Sequence, residues 1–511
     1  MKIGIDLGTT NTLVSYVDQA GSINRICFRN GDPDNRCLLP SCVAFDDETN
    51  TFLVGQPAIE YQRLSGVGAR RFIRDSKYEM GSNKVWTVGT KTVNAEDVAT
   101  LILKEVMCEL KSQFPDESGF TAFVTVPARF ETQEPRLATK SALERSGFLP
   151  ASTGNTLTDE PIAAAIAYSK ELQNAANILV VDFGGGTFDL SLIKSVMVGQ
   201  AVSADRLEPI AWGGDKRLGG NDVDKVIFDI IADEVACAGR NISVSLDDAS
   251  ALIREKPEDV AAAVAVSNYI RSPNGLKSKL FSGESDEVMV YIAELFDGYT
   301  LKMSISRDQY IERMKPLSDR MKGCIEKMYS DFHVSPEKTD KVLVVGGMAH
   351  EPCLIGILSE MFGKDRLVIP ADSMYMVSRG AAICNSDLKI HVENKAYSSI
   401  AVIVAGPDGK SRTLDVIVSE GMTITDDFAV TRKYKPNVDK ARSLQLTFVE
   451  YKGQFSQQKC NAVYNCEIEL NRQLKRDRQI VTVSYAFNED KIFLINTQQV
   501  DGTESRFSIR L

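Results

Sequence analysis

Short β-branched runs at Ile3 to Ile5 and at Ile178 to Val181 each end in glycines, in IGIDLGTTNT and ILVVDFGGGTFDLSLI. Both read as buried strands closed by tight turns. Strand and turn alternate over residues 1 to about 45 and again over 119–127 (GFTAFVTVP). Between them, 95–114 carries apolar residues at helical spacing behind an acidic start, and predicts one long amphipathic helix. Helices are expected over 134–147 and 160–173, the second with Thr158 or Asp159 as cap and Pro161 in its first turn. The strand–turn–strand pattern then restarts at Asn177, and a beginning that repeats after a helical segment indicates a duplicated α/β lobe. From about 218 to 304 the pattern is mainly helical, before KVLVVGGMAHEP returns to a strand that again ends in glycines. From 388 to 511 the rhythm changes to short alternating runs (SIAVIVAG, TLDVIVSEG, LQLTFVEYKG, QIVTVSYAF, KIFLINTQQ) separated by turn residues, an all-β pattern.

The two glycine turns carry the candidate chemistry. Glycine leaves no Cβ, so backbone N–H groups in such a turn approach phosphate oxygens closely. Thr9, Thr10 and Thr187 add hydroxyl donors. A carboxylate beside a bare phosphate is repulsive, so Asp6 and Asp182 imply a divalent cation, or its waters, between them. Mg²⁺ suits that role because it keeps its hydration shell and takes few carboxylates. One such turn is an ordinary β-turn as readily as a phosphate loop; two with the same Asp-x-Gly character point to a clamp on a metal triphosphate.

The chain has 511 residues, 43% of them hydrophobic, and a length prior of two to four domains. A net charge of −10 without a basic run argues against nucleic acid as a partner. The N-terminus has no long apolar stretch, and nothing approaches the roughly 20 apolar residues of a membrane span. The expectation is a protein with no membrane partner. Ten cysteines are scattered without C-x-x-C spacing, and read as small core hydrophobes of a reducing cytoplasm, with Cys460 and Cys466 the closest pair in the tail.

At this point the motifs resemble the 70-kDa heat-shock (DnaK-type) chaperones. The resemblance runs through IGIDLGTTNT, LVGQPA, FVTVPARF, TDEPIAAAIAYS, VVDFGGGTFDLSLI, LGGNDVD, KVLVVGG and GAA (380–382). It implies an α/β actin-like (ribonuclease H-like) two-lobed ATPase over 1–386, with lobes of about 1–172 and 173–386 and a helical subdomain at about 218–304. An interdomain linker would follow at 387–393, then an all-β sandwich at 394–511 with no helical lid after it. ATP or ADP with Mg²⁺ would bind between the lobes, Asp6 and Asp182 holding the metal through water. Gly8, Thr9, Thr10, Asn11, Gly184, Gly185, Gly186 and Thr187 would line the phosphates, and Glu160 would sit by the attacking water. Glu160 would also serve as a helix N-terminal acid, and Asp189 would be a second acid of that loop. Gly219, Gly220, Lys277, Gly346, Gly347 and His350 would frame the nucleoside, His350 either stacking on adenine or standing free on a surface loop. The implied function is ATP-regulated binding of unfolded or extended polypeptide, with a nucleotide-exchange factor among the partners.

The departures from that family matter as much. Its catalytic lysine is expected in ARRFIRD, where this chain has Arg70 and Arg71. Arginine keeps the charge but not the point geometry, so Arg70 in the catalytic set implies slow hydrolysis. Met348 and His350 replace a serine and an arginine, and Asn274 a glutamate. The linker candidate DLKIHVE places Leu388, Ile390 and Val392 on alternate positions. Thr156 and Ile162 stand where the family's docking surface for J-domain cochaperones has arginine and threonine, which argues against a standard J-domain partner. Two rivals stay open: a small-molecule kinase of the same superfamily, and a binding module in which a slow ATPase switches recognition of one dedicated partner.

Overall fold

In the computed structural model of the chain the described residues are 1–65, 72–127, 133–149, 156–169, 175–196, 206–242, 257–272, 275–283, 285–386, 391–392, 394–406, 411–425, 427–453, 455, 460–488 and 490–508. Their α-helices are α1 (Gln56–Ser65), α2 (Ala95–Gln113), α3 (Glu134–Arg145), α4 (Glu160–Ala167), α5 (Gly220–Cys237), α6 (Pro257–Arg271), α7 (Leu276–Ser282), α8 (Arg307–Asp331), α9 (Pro352–Phe362) and α10 (Met376–Cys384).

Two six-stranded sheets repeat one topology. In the first, Leu157–Asp159, Thr121–Val126 and Lys2–Leu7 run parallel, then Asn11–Val17 and Ile23–Arg25 follow antiparallel, with Leu39–Pro40 added beside Asn11–Val17. In the second, Leu367–Val368, Lys341–Val345 and Asn177–Phe183 run parallel, then Phe188–Val196 and Arg206–Asp215 follow antiparallel. The equivalent central strands are Lys2–Leu7 and Asn177–Phe183, and they end in the two glycine turns. This equivalence explains why the sequence pattern restarts at Asn177.

Between the sheets, α4 and α10 cross at backbone distance. A Cβ on Gly380 would stand 1.7 Å from the Ala163 carbonyl oxygen, and one on Gly4 would stand 2.0 Å from the Ala382 nitrogen. The buried Ile162 to Ala167 face of α4 packs there with Met376, Val377 and Ile383 of α10. The crossing fixes the base of α4, whose first residue is Glu160. Nearby, α2 starts on a reciprocal cap in which Asn94 and Asp97 satisfy each other's backbone N–H groups.

Three local expectations need correction. The mainly helical reading of 218–304 holds only as far as Ser282. Residues Glu287–Phe296 and Tyr299–Ser306 form an antiparallel hairpin with alternating burial, turned at Asp297 and at Gly298 (φ 66°). Neither Thr158 nor Asp159 caps α4 with its side chain; Asp159 is the N-cap by position, but its carboxylate is engaged elsewhere. The cysteines are all free, and of the ten only Cys42 is buried, while Cys27, Cys108 and Cys237 are exposed.

Beyond residue 394 two four-stranded antiparallel sheets face each other. One is ordered Arg412–Val418, Ser399–Ala405, Ser443–Tyr451, Cys460–Glu469, and the other Ala429–Tyr434, Val481–Phe487, Phe493–Gln498, Glu504–Ser508. Phe448, Tyr485 and Phe493 fill the space between them, with Tyr485 and Phe493 stacked at 5.6 Å. Of the linker candidate, Leu388 and Ile390 lie outside the described residues; His391–Val392 adds a parallel strand to Arg206–Leu207 at the edge of the second sheet. Among the described residues no helix is long and apolar enough to cross a membrane.

Candidate functional site

The two glycine turns meet face to face. A Cβ on Gly185 would lie 2.0 Å from the Thr10 hydroxyl oxygen, and one on Gly186 would lie 2.3 Å from the Tyr78 hydroxyl and 2.8 Å from a Thr9 methyl. Gly8 is equally constrained, because a Cβ there would meet the Asn11 carbonyl oxygen at 2.3 Å. Tyr78 donates to the Gly186 carbonyl at 2.8 Å and so ties the first half of the molecule to the second loop.

The N-terminus of α5 closes the loop from the other side. The amides of Gly220 and Asn221 donate to the carbonyls of Gly184 and Gly185, and a Cβ on Gly219 would stand 2.5 Å from the Gly186 backbone. Gly346, at φ 90°, presses against the same strand: a Cβ there would lie 2.5 Å from the Phe183 oxygen and 2.6 Å from Asp182 Oδ1. Gly347 has open space beside it, with Met374 nearest at 3.5 Å. A helix N-terminus beside a glycine cradle favours anionic oxygens.

Four carboxylates gather below the loops: Asp6, Asp182, Asp189 and Glu160. Asp182 and Asp189 are register partners across the second hairpin, and all but Asp6 are almost fully buried. Among the described residues one cation stands with them. Lys77 Nζ donates to Glu160 Oε1 at 2.6 Å. Burial works against the charge on Lys77, but Glu160 and Asp6 outweigh it and raise its pKa. Burial, then repulsion from Glu160, pushes Asp6 up to about 7, with Lys77 and Thr125 opposing. Asp182 is raised well above its ordinary value by burial, then by Glu160, Asp6 and Asp189. Negative charge therefore exceeds what Lys77 neutralises.

That excess, the buried Thr10 hydroxyl without a hydrogen-bond partner and the cradle at Gly185 fit a hydrated Mg²⁺ with a phosphate chain. Among the described residues no three carboxylate, imidazole or thiolate side chains converge closely enough to grip one ion directly.

Lys77 was not among the residues singled out from the sequence. It sits in a short 3-10 turn, Ser76–Glu79, that begins at Asp75 in a left-handed conformation (φ 55°). Asp75 Oδ1 accepts from Asn221 Nδ2 at 3.0 Å, a second tie between the halves. Arg70, Arg71 and Asn274 lie outside the described residues. Lys277 is committed to Asp224 at 2.8 Å, which also holds Arg271 at 2.8 Å. His350 is exposed at the turn before α9. Its neighbour Glu351 is buried, caps α9 through the Cys353 and Leu354 amides, and accepts from Tyr310.

A second polar cluster lies one residue from Glu160. Asp159 accepts from Arg136 Nη1 at 2.8 Å, Lys491 Nζ at 2.7 Å and the Tyr397 hydroxyl at 2.8 Å. Burial alone would raise its pKa, but Lys491 and Arg136 hold it well below the usual carboxylate range. Lys491 and Tyr397 belong to the C-terminal β region, as does Asp490. The Asp490 carboxylate is buried against the first sheet and accepts from the Thr156 amide at 2.6 Å, the Leu157 amide at 2.9 Å, the Thr156 hydroxyl at 3.0 Å and the Lys140 ammonium. Thr156 thus serves as a docking donor, and Ile162 is buried in the α4 face. A third contact joins buried Glu134 of α3 and Glu450 through the Tyr464 hydroxyl, at 2.8 and 2.9 Å.

Comparison with known proteins gives a consistent result. A family model described as Hsp70 protein matches residues 76–403, a span that excludes the first glycine turn and most of the C-terminal β region. The chaperone protein DnaK of Thermosipho africanus is 31% identical over 386 residues, 75% of this chain and 58% of that protein. DnaK of Thermotoga maritima is 30% identical over 387 residues, 75% and 58%. DnaK of Cenarchaeum symbiosum is 30% identical over 384 residues, 75% and 53%. The match thus spans a little over half the length of each of these relatives.

Proposed function

Because this chain belongs to the Hsp70 family, we propose that it is an ATP-driven molecular chaperone whose nucleotide cleft controls a polypeptide-binding β-sandwich. The reading takes the two six-stranded sheets as the lobes of an actin-like ATPase and the two four-stranded sheets as the sandwich. One observation carries it: Asp159 and Glu160 are consecutive at the start of α4, Asp159 gripping the sandwich and Glu160 facing the phosphate loops. A shift of α4 at one of these residues is a shift at the other.

The chemistry asks for positioning and charge neutralisation more than covalent catalysis. Gly185 and Gly186 present backbone donors to the phosphates, the α5 N-terminus adds the positive end of its dipole, and Thr9, Thr10 and Thr187 supply hydroxyls. Glu160 accepts a hydrogen bond from the attacking water and orients it. Lys77, held by Glu160, places a compact charge beside the transferred phosphoryl group and takes the part expected of Arg70. Asp6 and Asp182 would hold a hydrated Mg²⁺ through its waters, and the ion would supply charge neutralisation for the phosphates.

On the sandwich, the edge strand Arg412–Val418 has one side unpaired among the described residues, and carries the exposed Val416. It suits addition of an extended polypeptide strand. The test is phosphate release from Mg-ATP with and without an excess of reduced, unfolded polypeptide. Turnover that rises with polypeptide supports the coupled chaperone; turnover indifferent to it removes the coupling and leaves only an ATPase.

A further inference from the structure

A cavity of about 520 Å³ opens at the mouth of the cleft, on the outer side of Tyr78 and Asn221. One wall comes from the first lobe, with Phe72, Arg74, Tyr78 and Trp86; the other comes from α5, α6 and the turn at Arg217. Five cationic side chains line it against three acidic ones, on a chain whose net charge is −10. Lys84 is paired with Glu79, and Arg271 with Asp224. Arg74 and Arg217 make no side-chain hydrogen bond or ion pair among the described residues; Arg74 lies only over the Phe72 ring, at 5.5 Å. Arg74 and Arg217 are both exposed, and Arg271 is half-buried, where they border the cavity. Arg74 and Arg271 lie close enough to repel each other, and an anion between them relieves that repulsion. Their planar forks match phosphate oxygens in pairs, and the volume is that of a small-molecule site.

We propose that this cavity binds a phosphorylated small molecule, whose phosphate is taken by Arg74 from the first lobe together with Arg217 and Arg271 from the second. Such a ligand bridges the lobes, so its occupancy slows their separation and the release of nucleotide from the cleft. The phosphate has two possible sources, a separate effector or the cleft nucleotide itself, since Tyr78 and Asn221 also touch the second glycine loop. The site does not rest on the catalytic reading of Glu160 and Lys77.

The experiment is calorimetric titration of the full chain with inorganic pyrophosphate in Mg²⁺-free buffer. A single site is expected, and Arg74→Ala with Arg217→Ala weakens it by about tenfold or more, as expected for lost hydrogen bonds to a charged group. Arg74→Lys with Arg217→Lys recovers part of the affinity, because charge returns without the fork. Among the described residues neither guanidinium makes a hydrogen bond or ion pair, and both are exposed, so the alanine pair should melt close to wild type and the loss is not one of fold. Pyrophosphate that still binds to protein saturated with Mg-ADP identifies a separate effector. If Mg-ADP competes with it and is itself weakened in the alanine pair, the phosphate is that of the cleft nucleotide. Unchanged pyrophosphate affinity in the alanine pair overturns the proposal.

Discussion

Replacing Asp490 by alanine removes one carboxylate from four donors that lie outside the sandwich. Two of these, the Thr156 and Leu157 amides, are buried and lose this acceptor. Each costs about 1–3 kcal/mol to leave unsatisfied. Lys140 is partly exposed and turns to water at little cost, and the Thr156 hydroxyl can rotate. The sum, about 2–6 kcal/mol, brackets the usual cost of about 3–5 kcal/mol for removing one member of a buried charged pair. The docked-to-released ratio of the sandwich should therefore fall by about one to four decades. Trp212 reports the change, because it packs edge-on against Tyr397 of the sandwich at 4.9 Å and against Phe332 at 4.4 Å. In a Trp86→Phe background it is the one remaining tryptophan. A low-urea transition followed at Trp212 should move down by that free energy, with polypeptide stimulation of hydrolysis lost in parallel. Asp490→Asn, which keeps an acceptor but not the charge, should fall between. A Trp212 transition unmoved in Asp490→Ala would refute the reasoning, since the buried amides would then have mattered nothing.

Lys77→Ala should lower the rate of Mg-ATP hydrolysis by about 10²–10³-fold in single turnover, whereas Arg70→Ala should leave it within a fewfold of wild type; the reverse ranking would return the role to Arg70. Glu450 is pushed up to about 7 from 4.5, by burial first and with the Glu134 charge adding, against hydrogen bonds from Ser398 and Tyr464 and the charge of Lys452. Its folded pKa lies above its unfolded one, so its contribution to stability, part of it at the docking contact with Glu134, is full below the lower value and lost as pH rises through the upper. The Trp212 transition should weaken between pH 5 and 8, and Glu450→Gln should flatten the slope. Gly380→Ala places a methyl 1.7 Å from the Ala163 oxygen and should destabilise the chain by about 3 kcal/mol in thermal melting; a variant as stable as wild type would show that α4 and α10 can slide apart.

The elements that carry the phosphate loops were legible because each joins a β-branched run to glycine, a signal contained within about ten residues. Most of the all-β region was legible from its alternation, although three of its eight sandwich strands were not. Ala429–Tyr434, Cys460–Glu469 and Glu504–Ser508 are all edges, and each mixes charged or polar residues into its alternation. The hairpin at 287–306 was readable from alternation and the Asp297-Gly298 turn, but alanine-rich sequence before it drew the helical reading too far. Lys77 could not be found locally. It meets Glu160 across 83 positions, through a left-handed Asp75 that no periodicity announces. The docking carboxylates are further still, Asp490 reaching Thr156 across 334 positions. A charge whose partner is so remote looks, in sequence, like any solvated surface residue. Cys27 and Cys108 show the converse: residues of a type usually buried can be left outside when the helix or turn carrying them faces water.

The contact between Thr10 and Gly185 has a kinetic consequence. On the proposed function, phosphates that enter between Gly185 and Thr10 have to part the two loops, so nucleotide is admitted only to molecules whose loops have already separated. Association is then gated: its rate should level off at high nucleotide concentration, at the frequency with which the loops separate. The apparent dissociation constant is the intrinsic one divided by the fraction open, and every 1.4 kcal/mol of loop contact weakens it about tenfold. Nucleoside without phosphates has no cause to meet that gate, and its binding should stay linear in concentration.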